Sequence, residues 1–127
     1  MPKSEAKTPE IRWLAAPEDH DYPAAESYLG LLHPGAEAAE LVARLRAAPA
    51  ATFKAKDIFR ASGLSLLGVS NSHVEKDRKK IRKGVALAPL LLVREPALGR
   101  VVIADGYHRL CAVYAFDEDS WIPCRIV

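Results

Sequence analysis

Apolar residues recur along this chain with two different periods. Up to about residue 63 the spacing is helical. Tyr28, Leu29 and Leu32 share one face of a helix over 24–32, with Pro23 as its first residue and His33-Pro34-Gly35 as its stop. Leu41, Val42 and Leu45 turn inward from a helix over about 36–47, while Glu37, Glu40, Arg44 and Arg46 turn outward and Pro49 ends it. Thr52 is placed to cap a third helix over about 53–62, anchored by Ile58 and Phe59 and stopped by Gly63. Beyond that point short β-branched and leucine runs appear at 64–67, 90–93, 101–104 and 122–126, which read as strands. Between them lie two further helices. One runs from His73 to Lys83 with Ser72 and Glu75 at capping-box spacing and Gly84 as its stop. The other covers 107–116, with Leu110, Val113 and Tyr114 as its apolar stripe. The expectation is an α+β fold in which a small mixed sheet packs against the 107–116 helix and a three-helix N-terminal segment covers the rest.

Length and composition narrow this picture. The chain has 127 residues, half of them hydrophobic and about a quarter charged, as expected of a soluble globular protein. Residues 1–10 are polar, contain Pro2 and Pro9, and read as a flexible tail. Residues 11–127 then form a single domain, with a helical part over 11–63 and a core over 64–127. The short apolar patch Ile11-Arg12-Trp13-Leu14 is placed to dock on its body. No N-terminal segment reads as a secretory signal and no apolar run is long enough for a bilayer, so no membrane partner is expected. The expected location is cytoplasmic, with Cys111 and Cys124 as reduced thiols that pack as small apolar residues. Pro17-Glu18-Asp19-His20-Asp21 reads as a solvated loop, and no metal site is assigned to it.

A formal charge of +2 does not argue for nucleic acid by itself, but the placement of charge is informative. The 73–83 helix carries Lys76, Arg78, Lys79, Lys80, Arg82 and Lys83 against only Glu75 and Asp77. At ~100° per residue, His73, Lys76, Lys80 and Lys83 fall on one narrow arc, while Val74 and Ile81 form a thin apolar seam elsewhere. A second cationic element follows the run Val101-Val102-Ile103-Ala104. There, Asp105-Gly106 makes a sharp turn into a helix whose first residues include His108 and Arg109. Unpaired N–H groups, the helix dipole, an imidazole and a guanidinium meet at that point, which suits a phosphate. The local residues fit equally well a capped helix whose Arg109 pairs with a carboxylate. Lys56 and Arg60, at i, i+4, read as a solvated charged face.

Asp105-Gly106-Tyr107-His108-Arg109, the apolar helix after it and the strand Ile122-Pro123-Cys124-Arg125-Ile126 resemble the ParB/sulfiredoxin superfamily. The segment from Lys80-Ile81-Arg82-Lys83-Gly84 to Pro89-Leu90-Leu91-Leu92-Val93 fits the same pattern of basic helix, glycine and proline-led strand. The resemblance spans about residues 64–127. It implies a ParB/sulfiredoxin-like fold that binds a nucleotide, ATP or CTP, with Mg²⁺ as an optional companion. It places His73, Lys76 and Lys80 on phosphate-contact positions, together with Gly106, His108 and Arg109. Asp105 and His108 are its candidates for catalytic work.

The chain departs from the family's pattern in two respects. Sulfiredoxins carry the catalytic cysteine directly before the His-Arg pair, where this chain has Tyr107, so repair of sulfinic acids is not expected. ParB proper has Arg-Arg after its glycine and glutamate and continues into a helix-turn-helix region, and neither feature is present in these 127 residues. Asp105 stands where sulfiredoxins have glycine, and could hold Mg²⁺, act as a base or cap the helix; the cap is the favoured role. The functional expectation is a nucleotide-binding protein working as a phosphotransferase or nucleotide-gated regulator, with a homodimer left open. The alternative is a DNA-binding or nuclease-like module using the same cations on a phosphodiester.

Overall fold

The computed structural model describes residues 10–66 and 71–127. The expected tail over 1–9, and positions 67–70 of the expected first strand and its following loop, lie outside them. In chain order the elements are helices α1 (Asp21–Leu32) and α2 (Glu37–Ala47), strand β1 (Ala51–Lys54), helices α3 (Ala55–Ser62) and α4 (Ser72–Arg82), strands β2 (Leu90–Glu95) and β3 (Arg100–Asp105), helix α5 (Tyr107–Phe116) and strand β4 (Trp121–Ile126). The fold is α+β with a mixed four-stranded sheet in the order β1-β4-β2-β3. β1 runs antiparallel to β4, β4 parallel to β2, and β2 antiparallel to β3.

The sheet separates two apolar clusters. Leu91, Val93, Val102 and Ala104 pack against α1 and α2 through Leu29, Val42 and Leu45. Leu90, Leu92, Ile103, Ile122 and Cys124 face the other way, onto Ile58 of α3, Val74 and Ile81 of α4, and Leu110 and Val113 of α5. The alternation along Leu90-Leu91-Leu92-Val93 sends successive side chains to opposite faces, and all four are buried because helices cover both. The N-terminal helices are therefore divided. α1 and α2 form one outer layer, while α3 joins α4 and α5 in the other.

Several boundaries differ from expectation. Residues 64–66 are not a strand, and Leu64 and Leu66 lie exposed. The edge place beside β4 is taken by Ala51–Lys54, whose Phe53 pairs with Ile122 and Thr52 with Pro123. Thr52 is thus a strand residue rather than a helix cap, and α3 begins at Ala55. Four residues are too few to show a period of two, and pairing with β4 overrides the helical reading. α1 starts at Asp21, earlier than Pro23 suggests, and Asp21 is only 3% exposed rather than a solvated loop residue. Ile11 and Trp13 dock on the core as expected, Trp13 forming a parallel bridge to Leu87.

The cap of α4 is also shifted. Asn71, not Ser72, is the N-cap, and its side-chain oxygen accepts from the N–H groups of His73 at 3.0 Å and Val74 at 3.2 Å. Asn71→Ala should lower stability by about 0.5–2 kcal/mol in urea unfolding, while Ser72→Ala should be close to neutral. The reverse order would return the cap to Ser72.

Candidate functional site

The site forms where α4 packs beside the start of α5. α4 holds its register through Val74 and Ile81, both buried in the core, which turns the arc of His73, Lys76 and Lys80 toward α5. From the other side come the end of β3 and the first turn of α5. Together they line a cavity of about 210 Å³: His73, Lys76, Asp77 and Lys80 on one wall, and Asp105, Gly106, Tyr107, His108 and Arg109 on the other. All the residues singled out from the sequence as phosphate-binding or catalytic meet there. Lys83 does not line the cavity; it is the C-cap residue of α4. Lys56 lies elsewhere, 2.6 Å from Asp119.

Gly106 makes the turn possible. It is the N-cap of α5 with φ of +108°, a conformation that L side chains rarely adopt. A Cβ there would lie 2.7 Å from Leu90 Cγ and 2.9 Å from Arg109 Nη2. The glycine thus lets β2 and the Arg109 side chain pass close to the backbone.

Asp105 does not cap α5. With Gly106 at the N-cap, Asp105 sits one residue too early, and no side chain among the described residues caps the helix. Its Oδ2 instead accepts from Arg109 Nη2 at 2.9 Å, so the carboxylate pairing weighed for Arg109 is present, within the cavity wall. Burial raises the Asp105 carboxyl above the ordinary carboxylate range; Arg109 opposes this, and a hydrogen-bonded neighbour, Asp21, adds to it. Asp21 is itself held by the Glu18 N–H at 2.9 Å. The ligating atoms of Glu18, His20 and Asp21 lie within 4.8 Å of one another. The Arg109 fork is only partly used: Nη2 also reaches the Pro89 carbonyl at 3.4 Å, and Nε is buried with no hydrogen-bond partner among the described residues.

The remaining groups set the electrostatics. Lys76 and Lys80 make no ion pair within 4.0 Å among the described residues, whereas Arg78 and Arg82 on the far side of α4 pair with Glu75. Asp77 is the acid that sequence reasoning passed over. It lies four residues after His73, on the same arc, and was legible there as a member of the cationic face. Burial raises its carboxyl, against the lowering influence of Lys80, Arg109, His108 and Lys76. The His73 and His108 rings stand 4.9 Å apart. Burial lowers the His108 pKa, His73 and Arg109 lower it further, and Asp77 alone opposes them.

Tyr107, half-buried, donates its hydroxyl hydrogen bond to the Ser65 carbonyl, which ties the segment after α3 to the site. Neither cysteine is in a disulfide, and both are buried in the core. Burial pushes the Cys124 thiol up to about 12, which keeps it protonated near neutral pH. No helix is long and apolar enough to cross a membrane among the described residues. The chain matches no protein-family model, no curated protein and no solved structure.

Gly106→Ala should destabilise the fold by about 1–3 kcal/mol in chemical denaturation, since it adds backbone strain and a contact with Leu90. A neutral result would mean the turn is not held as described. In an NMR titration the His108 midpoint should lie below the ordinary histidine value. His73→Ala should raise it and Asp77→Asn should lower it. Because the folded-state pKa is depressed, His108 contributes stability that is present above the ordinary value near 6.5 and lost as pH falls through the folded pKa.

Proposed function

We propose that the protein is a nucleotide-binding member of the ParB/sulfiredoxin-like superfamily that takes ATP or CTP by its phosphates, as a phosphotransferase or a nucleotide-gated regulator. One observation carries this reading: residues from two separate stretches, His73 to Lys80 and Asp105 to Arg109, line a single polar cavity. Solvated charged helices have no reason to aim at one point. A polyphosphate requires such convergence, because its charge must be offset at close range. Lys76 and Lys80 supply point charges and the Arg109 fork supplies directed donors. His108, with its lowered pKa, is a largely neutral imidazole near pH 7, suited to accept a proton at a bound phosphate.

Arg109 is held by Asp105 before any ligand arrives, so a phosphate competes with that carboxylate. Asp105 accordingly acts as the partner that orients Arg109. Where Mg²⁺ accompanies the nucleotide, Asp77 is the better placed carboxylate to hold it with the phosphates, since Asp105 is already paired. The ion would supply charge neutralisation at the phosphates.

Thermal shift with ATP and CTP, with and without Mg²⁺, is the direct test; a ligand at 100 times its dissociation constant adds about 2.7 kcal/mol. In a double-mutant cycle on nucleotide affinity, Lys80→Ala and Arg109→Ala should show a coupling of about 0.5–3 kcal/mol. Losses that simply add would mean the two stretches do not share a ligand. Binding of DNA that weakens steeply with salt, with no nucleotide binding, would move the site to phosphodiesters.

A further inference from the structure

We infer that the ring end of the nucleotide lies in a second cavity, built partly by the N-terminal helix α1, with Tyr28 as the surface on which a planar heteroaromatic ring stacks. The inference rests on the phosphate reading above. At about 210 Å³ the cationic cavity is smaller than the roughly 300–1,000 Å³ of ordinary ligand pockets, and its lining is almost wholly polar or charged. It suits phosphates; its only rings are Tyr107, tied to the Ser65 carbonyl, and the His73–His108 pair, and no apolar aliphatic residue lines it. A neighbouring cavity of about 340 Å³ shares the wall from Asp105 to His108 and continues over Tyr28, Leu64, Ile103 and Ala104.

The turn at Gly106 is thus the partition between the two. A ligand lying across it meets cations on one side and an apolar surface on the other. The remaining cavities do not offer this. The apolar one between Phe53, Ile58 and Leu92, the one beside His33 and Leu41, and the one that runs from Tyr28 past Leu32 to Arg100 share no residue with the cationic site.

Tyr28 is 44% exposed and Leu64 47%, so both present apolar surface to an incoming group. Tyr28 stands on α1 next to buried Leu29, which anchors the helix that carries it. Leu64 is held next to the site by the neighbouring Ser65 carbonyl, which accepts from Tyr107. An aromatic face, two aliphatic side chains and a cationic neighbour match the amphiphilic build of a nucleotide. Stacking on tyrosine is tolerant of base identity, because every base has a π-face.

Calorimetry on the full chain with three probes tests this: ATP, CTP and inorganic tripolyphosphate. At least one nucleotide should bind more tightly than tripolyphosphate. Tyr28→Ala should weaken that nucleotide by about five- to a hundredfold, the range of base-on-aromatic stacking, and leave tripolyphosphate unchanged. Tyr28→Phe should keep both affinities, and Lys80→Ala should weaken both. An unchanged melting temperature for Tyr28→Ala excludes a general effect on folding. If Tyr28→Ala weakens tripolyphosphate as much as nucleotide, or neither, or if tripolyphosphate binds as tightly as both nucleotides, the ring does not sit on Tyr28 and the phosphate site stands alone. If no probe binds, the phosphate reading itself fails and the subsite falls with it.

Discussion

The contact between Leu90 and the Gly106 backbone is the constraint on which the rest of the site depends. Leu90 opens β2 and pairs with Cys124 of β4, at the centre of the sheet. Gly106 lies between the last residue of β3 and the first of α5, as the N-cap of the helix. With no Cβ between them, the start of the helix can press onto the start of the strand, and α5 settles with Leu110 and Val113 in the core. The same missing atom gives Arg109 its path back over the turn to Asp105. Packing and electrostatics therefore meet at one residue. A bulkier turn would move the helix, the guanidinium and the donors at the helix start together.

Around that turn the charges are balanced rather than merely accumulated. Burial works against ionisation of Asp77 and Asp105, while the nearby cations work for it. The two acids offset part of the repulsion among Lys76, Lys80 and Arg109. An anionic ligand would take over that duty. The arrangement retains donors, such as Arg109 Nε, which has no partner among the described residues.

Much of this was legible in the sequence, for identifiable reasons. α5 and the three strands β2, β3 and β4 announce themselves because each is long enough for its period to show, and their ends carry glycine, proline or a charge. The two walls of the cationic cavity were legible separately, because helical geometry fixes which α4 residues share an arc and a turn puts the first residues of α5 at the end of β3; that they face each other was expected only from the family resemblance, since local spacing says nothing about which helices pack together. β1 was not legible. Ala51–Lys54 has no alternation of its own and becomes a strand only because β4 offers it an edge. Asp21 was hidden for a similar reason. Among acids and a histidine it reads as solvated, and only the packing of α1 on β3 buries it against Asp105. Asp105 itself looked like a cap because local rules favour that role, and the left-handed turn at Gly106 displaced it by one position.

The order of strands has a consequence for how the molecule comes into being. β4, Trp121–Ile126, is the latest of the four along the chain, yet it sits between β1 and β2. During synthesis, β1 has no neighbour to pair with until β4 has been made, and the β2–β3 hairpin waits with one edge bare. Helices α1 and α2 can gather on the ribosome early, but the layer they cover is unfinished. Assembly of the sheet therefore waits for β4 and is governed by pairings distant in sequence, such as Ala51 with Cys124 and Leu90 with Cys124. Until that closure the apolar run Leu90 to Val93 has no parallel partner, and the nascent chain is at its most vulnerable to pairing with another copy of itself.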